Sequence, residues 1–242
     1  MQNKDLNIVV IGASGSLGSE FIRQLSGDGK IKSIFAFSRS VTEFNDSKVE
    51  SFFIDIEDEE SIKSAANKAS KDVKIDMVIV ATGMLHDANI NPEKSLRDLS
   101  KEKFHQLFSI NTIAPAIIAK HFLPKLNKDS KSIFAALSAR VGSISDNQLG
   151  GWYSYRASKS ALNMVLKNAS IEIGRSNKTA IIVGLHPGTV DSELSKPFQN
   201  AVSKEKLFTA KYSVQKLLEV MDSLTPSDSG DILDFNRIKI DF

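Results

Sequence analysis

The chain contains no cysteine. Disulfide bridges, thiolate nucleophiles and cysteine-bound metal are therefore excluded. It has no apolar stretch long enough to span a bilayer, and Met1 to Asp5 carry no signal-peptide core ahead of the first apolar run. The expected location is cytoplasmic, with no membrane partner. Neither sign of charge dominates, since 31 basic residues stand against 29 acidic ones for a formal net charge of +2. That balance gives no electrostatic ground for nucleic-acid binding. The basic group Lys125, Lys128 and Lys131 reads as a solvated surface. The four histidines (His86, His105, His121 and His186) show no metal-ligand spacing with carboxylates, so no metal site is expected. No linker rich in proline, glycine or serine, no internal repeat and no low-complexity tract interrupts the chain. Residues 1–242 therefore read as one domain, long enough to bury a large core.

What the chain does have is a regular alternation of two patterns. Short apolar, β-branched runs at 6–11, 34–37, 51–54, 77–80, 133–137, 180–185 and 232–235 are too short for helices and read as buried strands. Between them lie helical periodicities. Leu17, Phe21, Ile22 and Leu25 form the first, which Gly27 and Gly29 end. Others span about 58–71, 101–122, 155–173 and 212–221. Strands alternating with helices predict an α/β fold, a doubly wound parallel sheet of about seven strands with helices on both faces. Ligands of such sheets bind at the carboxyl ends of the strands. Gly12, Thr82, Ser138 and Pro187 each follow a strand and should converge on one edge.

The first strand opens into Gly12-Ala13-Ser14-Gly15-Ser16-Leu17-Gly18. A glycine turn between strand and helix lets the backbone approach a pyrophosphate, which then meets the free N–H groups of the helix start. The glycines at 12, 15 and 18 depart from the G-x-G-x-x-G spacing, but the strand before the turn and the helix after it predict dinucleotide binding. The second strand ends in Ser38-Arg39-Ser40, with no acidic residue to hold a ribose 2′-hydroxyl. Arginine there suits a 2′-phosphate, and Ser14 adds a hydroxyl. NADPH/NADP+ is the expected cofactor, with NADH possible.

Tyr155 and Lys159 stand four residues apart on a helical pattern, hence on one face. A free phenol ionises near pH 10, and a neighbouring ammonium favours its phenolate. Such a pair is suited to proton transfer to or from a carbonyl or alcohol. The surrounding Gly150-Gly151-Trp152-Tyr153-Ser154-Tyr155-Arg156-Ala157-Ser158-Lys159 resembles the short-chain dehydrogenase/reductase family over essentially the whole length. The glycine turn, Asp55, Asn111, the Tyr155/Lys159 pair and Pro187-Gly188 occur in that family's order. The segment from Gly142 to Asn147 most resembles its C-factor and small carbonyl-reductase branch.

The resemblance implies a Rossmann-like fold and a reaction that moves hydride between nicotinamide and a small-molecule carbonyl or alcohol substrate. It implies that Tyr155 is the general acid/base, that Lys159 lowers its pKa and holds the nicotinamide ribose, and that Asn111 helps hold a relay water. It implies that Gly12, Ser14, Gly15, Ser16, Leu17 and Gly18 form the pyrophosphate turn, with Ser38 and Arg39 at the 2′-phosphate. Asp55 and Ile56 would flank the adenine. Ala81, Thr82 and Gly83 would border the cofactor after the fourth strand. Pro187, Gly188, Val190 and Ser192 would border the nicotinamide. A homodimer or homotetramer is also implied.

The family's catalytic serine falls at Ala139 here. A hydroxyl that polarises the carbonyl has two candidate sources. Ser143 could reach back into the site and is preferred. Ser138 is its rival, expected to point to the opposite face if the strand stays regular. The missing hydroxyl leaves open a dinucleotide-binding regulator with little turnover. The stretch 191–209 reads either as a lid over the substrate or as a surface excursion.

Overall fold

A computed structural model describes residues 5–201 and 203–242. Residues 1–4, and residue 202 in the 191–209 stretch, lie outside the described residues. Strand β1 (Leu6–Ile11) forms where six consecutive residues are apolar apart from Asn7. It pairs in parallel with β2 (Ile31–Ser38) on one side and β4 (Met77–Val80) on the other. β3 (Val49–Phe53), β5 (Ser132–Leu137), β6 (Ala180–His186) and β9 (Ile232–Asp234) complete a seven-stranded sheet in the order β3-β2-β1-β4-β5-β6-β9. Every pairing within it is parallel, as the alternation of strands and helices predicted. The central strands are buried on both faces, which is why their sequences are continuous apolar runs.

Helices α1 (Ser16–Ser26) and α6 (Ala210–Ser223) cover one face through Phe21, Ile22, Leu217 and Met221. The other face is covered by α2 (Glu59–Ala69), α4 (Ala114–Phe122) and α5 (Tyr153–Ser176), through Ile62, Phe122 and Leu162. The predicted helix over 101–122 is divided. α3 (Lys101–Phe108) passes into a π-helical turn, Ser109–Ile113, before α4 begins. A π turn inside a helix is frequently a mark of function, and this one carries Asn111.

The order of the strands reverses between β1 and β4, where the chain crosses from one half of the sheet to the other. The crevice outside these strand ends is where a doubly wound sheet binds its ligand. Thr189–Val190 (β7) and Leu207–Phe208 (β8) form a separate two-stranded ribbon beside this edge. Among the described residues, no helix is long and apolar enough to cross a membrane.

Candidate active site

Two cavities open at the carboxyl edge of the sheet. The first has a volume of about 510 Å³ and is lined at its base by Gly12, Ser14 and Gly15. Gly12 sits at φ +93°, and a Cβ there would lie 2.9 Å from the Ala81 carbonyl carbon and oxygen. Only glycine fits that crossing of β1 and β4. Gly18 serves a different purpose. A Cβ on it would overlap the Gly12 carbonyl oxygen, so its absence seats α1 directly on the turn. Ser16, Leu17 and Gly18 do not line the cavity. Ser16 opens α1 and Leu17 packs against the core.

Further round the same cavity stand Ser38, Arg39 and Ser40 from the end of β2, and Ile54 and Ile56 after β3. The Ser38 hydroxyl donates to the Ser40 carbonyl at 2.7 Å, which shapes the turn that presents Arg39. Arg39 is exposed and has no hydrogen-bond or ion-pair partner among the described residues. Asp55 differs from expectation, because it is not among the lining residues. Its carboxylate instead accepts from the Glu57 N–H at 3.0 Å and closes the local turn. Ala81, Thr82 and Gly83 line the opposite side. The Thr82 Oγ1 is buried with no partner, a polar atom left for something other than this chain to satisfy. The open glycine cradle, the free guanidinium and this orphaned hydroxyl together fit a phosphorylated dinucleotide. They are the residues that would hold one.

The second cavity, about 540 Å³, is lined by Tyr155, Ser138, Ala139, Pro187, Gly188, Val190 and Ser192, with walls from Leu85, Trp152 and Phe198. The structure therefore places Pro187, Gly188, Val190 and Ser192 on the wall shared with Tyr155, not in the glycine-lined cavity. The loop after β4 divides the two spaces. Gly83, Met84 and His86 face the first cavity, whereas Leu85 faces the second. The first two turns of α5 span the same divide. Tyr155 lines the second cavity, and a Cβ on Gly83 would lie 3.6 Å from both Lys159 Nζ and Asn111 Oδ1.

Burial governs both members of the pair. The Tyr155 phenol is pushed up to about 12 and the Lys159 ammonium down to about 8, each by loss of water. Lys159 Nζ donates to the Leu137 carbonyl at 2.9 Å and lies 6.0 Å from the Tyr155 ring centroid. In the chain alone, then, the expected lowering of the phenol is overridden by desolvation. Asn111 is fully buried and its amide is fully engaged. It accepts from the Met84 N–H and donates to the Met84 carbonyl, both at 2.8 Å, and donates to Ser158 Oγ at 3.1 Å. Its side chain clamps the loop after β4 and has no donor free for a relay water.

The two candidate serines exchange places relative to expectation. β5 ends at Leu137, so alternation no longer governs Ser138, which lines the Tyr155 cavity. Its hydroxyl donates to Asn163 Oδ1 at 2.6 Å. Ser143 does not line the cavity. The chain leaves through a 3-10 turn, Arg140–Gly142, and the Ser143 hydroxyl accepts from the Asp146 N–H at 3.1 Å. Within the stretch 191–209, Leu194, Ser195, Pro197 and Phe198 form a cover along one side of the second cavity. His86 ties that cover down, its Nε2 lying 3.1 and 3.2 Å from the carbonyls of Glu193 and Leu194. Both carbonyls accept, so Nε2 carries the hydrogen.

Sequence reasoning missed Glu93. It is 1% exposed, and its carboxylate accepts from Ser154 Oγ at 2.6 Å and from the Ser154 N–H at 3.3 Å. Trp152, at the N-cap of α5, has left-handed backbone and offers no capping side chain. Glu93 thus caps, from a distant loop, the helix turn that carries Tyr155. Glu93→Ala is expected to lower stability by about 2 kcal/mol, or about 5 °C in Tm, because buried donors lose their acceptor. Thermal denaturation measures this, and Glu93→Gln should recover part of the loss by keeping one acceptor oxygen. An unchanged midpoint for the alanine variant would show that the cap contributes nothing.

Comparison with known proteins agrees with this geometry. The pattern of the short chain dehydrogenase family matches residues 6–203. A 1-hydroxy-2-glutathionyl-2-methyl-3-butene dehydrogenase from Rhodococcus sp. (strain AD45) is 31% identical over 178 residues, covering 73% of each chain. The C-signal of Myxococcus xanthus is 30% identical over 146 residues, 60% of this chain and 82% of its own. An NADPH-bound carbonyl reductase from chicken fatty liver shares the fold with a TM-score of 0.86 at 22% identity, covering 99% of this chain and 95% of its own.

Proposed function

Because the chain belongs to the short-chain dehydrogenase family, we propose that it is an NADP(H)-dependent oxidoreductase that reduces a carbonyl group to an alcohol. The observation that carries this reading is the pair of opening turns of α5, which present Tyr155 to one cavity and Lys159 to the edge of the other. The glycine turn and Arg39 would hold NADPH, which when bound would supply the hydride. Tyr155 donates the proton to the carbonyl oxygen in the adjoining cavity. Its phenol, pushed up to about 12, remains protonated at neutral pH and is therefore poised as an acid. Alcohol oxidation would need the phenolate, which burial disfavours.

The Lys159 ammonium stabilises the phenolate that forms as the proton leaves. With its pKa lowered to about 8, it is charged below that pH and neutral above it. The expected profile of kcat/KM for reduction is a plateau below about pH 8 and a decline above it, since kcat/KM reports the free enzyme. NADPH absorbance at 340 nm, followed with a panel of aldehydes and ketones from pH 6 to pH 10, tests both the activity and the profile. A rate that climbs through pH 8 would contradict the assignment of the ammonium.

The second reading, a dinucleotide-binding regulator with little turnover, has one observation in its favour. Ala139 supplies no hydroxyl opposite Tyr155, and the Ser138 hydroxyl already donates to Asn163. Tight NADPH binding without oxidation by any carbonyl would select it. A homodimer or homotetramer is supported by apolar side chains left exposed on the outer helices, Ile113, Met164 and Ile171.

A further inference from the structure

We propose that the second cavity selects uncharged carbonyl compounds that carry an aromatic ring and rejects anionic and polyhydroxylated ones. The proposal deepens the reading of Tyr155 as proton donor and rests on it. One wall is a continuous aromatic ladder. The Trp152 ring meets Tyr155 at 6.1 Å and 71°, and Phe198 meets Trp152 at 5.0 Å and 61°. Both contacts are edge-to-face, the geometry in which a further ring joins favourably. Among the described residues, no Asp, Glu, Lys or Arg lines the cavity. His186 does, and burial first, then the nearby Arg140, hold its imidazole near 4, so it is neutral at physiological pH.

The serine hydroxyls on the wall add less polarity than their number suggests. Ser138 donates to Asn163, whereas Ser192 and Ser195 donate to the Val190 carbonyl at 3.3 and 2.5 Å. A hydroxyl has one hydrogen to give. With three of these donors engaged, the Tyr155 phenol, Thr189 and His186 remain to meet a ligand's polar atoms. A carboxylate placed here would shed its water without finding a counter-charge, and a polyol would leave several hydroxyls unpaired. A ring-bearing ketone or aldehyde needs one polar partner at its carbonyl and apolar walls elsewhere. About 540 Å³ accommodates such a molecule.

The test uses a pair of aldehydes alike in size. The chain has a single tryptophan, Trp152, and it lines the cavity, so its fluorescence reports occupancy directly. In the presence of NADP+, 4-methylbenzaldehyde should quench Trp152 with a Kd about 100-fold below that of 4-carboxybenzaldehyde, and D-glyceraldehyde should not compete. With NADPH, kcat/KM should follow the same order. Phe198→Arg should reduce the discrimination to about tenfold or less by supplying a counter-charge, and Phe198→Ala should weaken the methyl compound about tenfold without helping the carboxylate. Affinities for the two benzaldehydes within threefold of each other would overturn the proposal. Selective quenching without NADPH oxidation would uphold the selectivity and overturn the proton-donor reading instead.

Discussion

Tyr155→Phe is expected to lower kcat for carbonyl reduction by about 10²–10⁴-fold, the range a positioned proton donor contributes. The substitution is a clean one because the ring and the hydroxyl do different things. The ring belongs to a small apolar cluster with Leu85, Ile90 and Leu107, and it is 8% exposed. Phenylalanine fills the same volume, so the start of α5 should keep its packing. Among the described residues the phenol oxygen, on the cavity wall, has no hydrogen-bond partner, so its loss strands no neighbour. NADPH affinity, measured by fluorescence titration, should stay within about threefold, because a transition-state interaction is removed and ground-state binding is left. Single-turnover NADPH oxidation separates the two effects. Retention of more than about a tenth of the wild-type rate would assign the proton to another donor, and Thr189 and His186 are the groups on the same wall that such a result would point to.

How much of this was legible in the sequence depends on whether a feature is local. β4 was read to the residue because Met77 to Val80 are all apolar and Ala81-Thr82-Gly83 ends them. β2 starts earlier than its apolar run suggests, at Ile31, because Ile31 and Ser33 pair with Leu6 and Asn7 of β1 across a register shift that skips Lys32. The parallel α/β architecture follows from alternation, whereas the sheet order, with its crossing between β1 and β4, is seen only in the folded chain. The Tyr155/Lys159 spacing needed only the period of a helix. Asn111 was found as a position, but its part as a clamp on Met84 could not be read, since the π turn that seats it answers to tertiary packing and not to periodicity.

The serines show the same limit in reverse. The expectation that Ser138 points away extended strand alternation past the residue where β5 stops. The expectation that Ser143 reaches back overlooked the 3-10 turn at Arg140–Gly142 and the Asp146 N–H waiting beyond it. Glu93 left no local signal at all. A single acid in a loop, 61 residues from the serine it holds, looks like surface until the fold brings the two together. The electrostatics of the pair was likewise invisible, because burial, which raises Tyr155 and lowers Lys159, is a property of the packed molecule.

Arg39→Asp is expected to lower NADPH affinity by about 100-fold while leaving NADH affinity unchanged or improved. The arithmetic has two parts. A hydrogen bond to a charged group contributes about 1.5–3 kcal/mol, which corresponds to roughly 10- to 150-fold in binding. The new carboxylate adds repulsion toward a 2′-phosphate, and for NADH it supplies the acceptor that a ribose 2′-hydroxyl prefers. Nothing within the described chain competes for the guanidinium, so its removal breaks no internal bond and should leave stability within about 0.5 kcal/mol. Exposure sets the expected salt dependence. Arg39 stands at the cavity rim in contact with water, and the screening length shrinks from about 10 Å at 0.1 M to about 3 Å at 1 M salt. The wild-type preference for NADPH should therefore narrow as salt rises, and the variant's bias against NADPH should shrink as well, because the same screening weakens its repulsion. Titrating both cofactors into both proteins at two ionic strengths measures all of this at once. Equal losses for NADPH and NADH would show that Arg39 supports the loop after β2 and does not read the 2′-phosphate, and the burden of that recognition would pass to Ser14 and Ser40 on the same cavity wall.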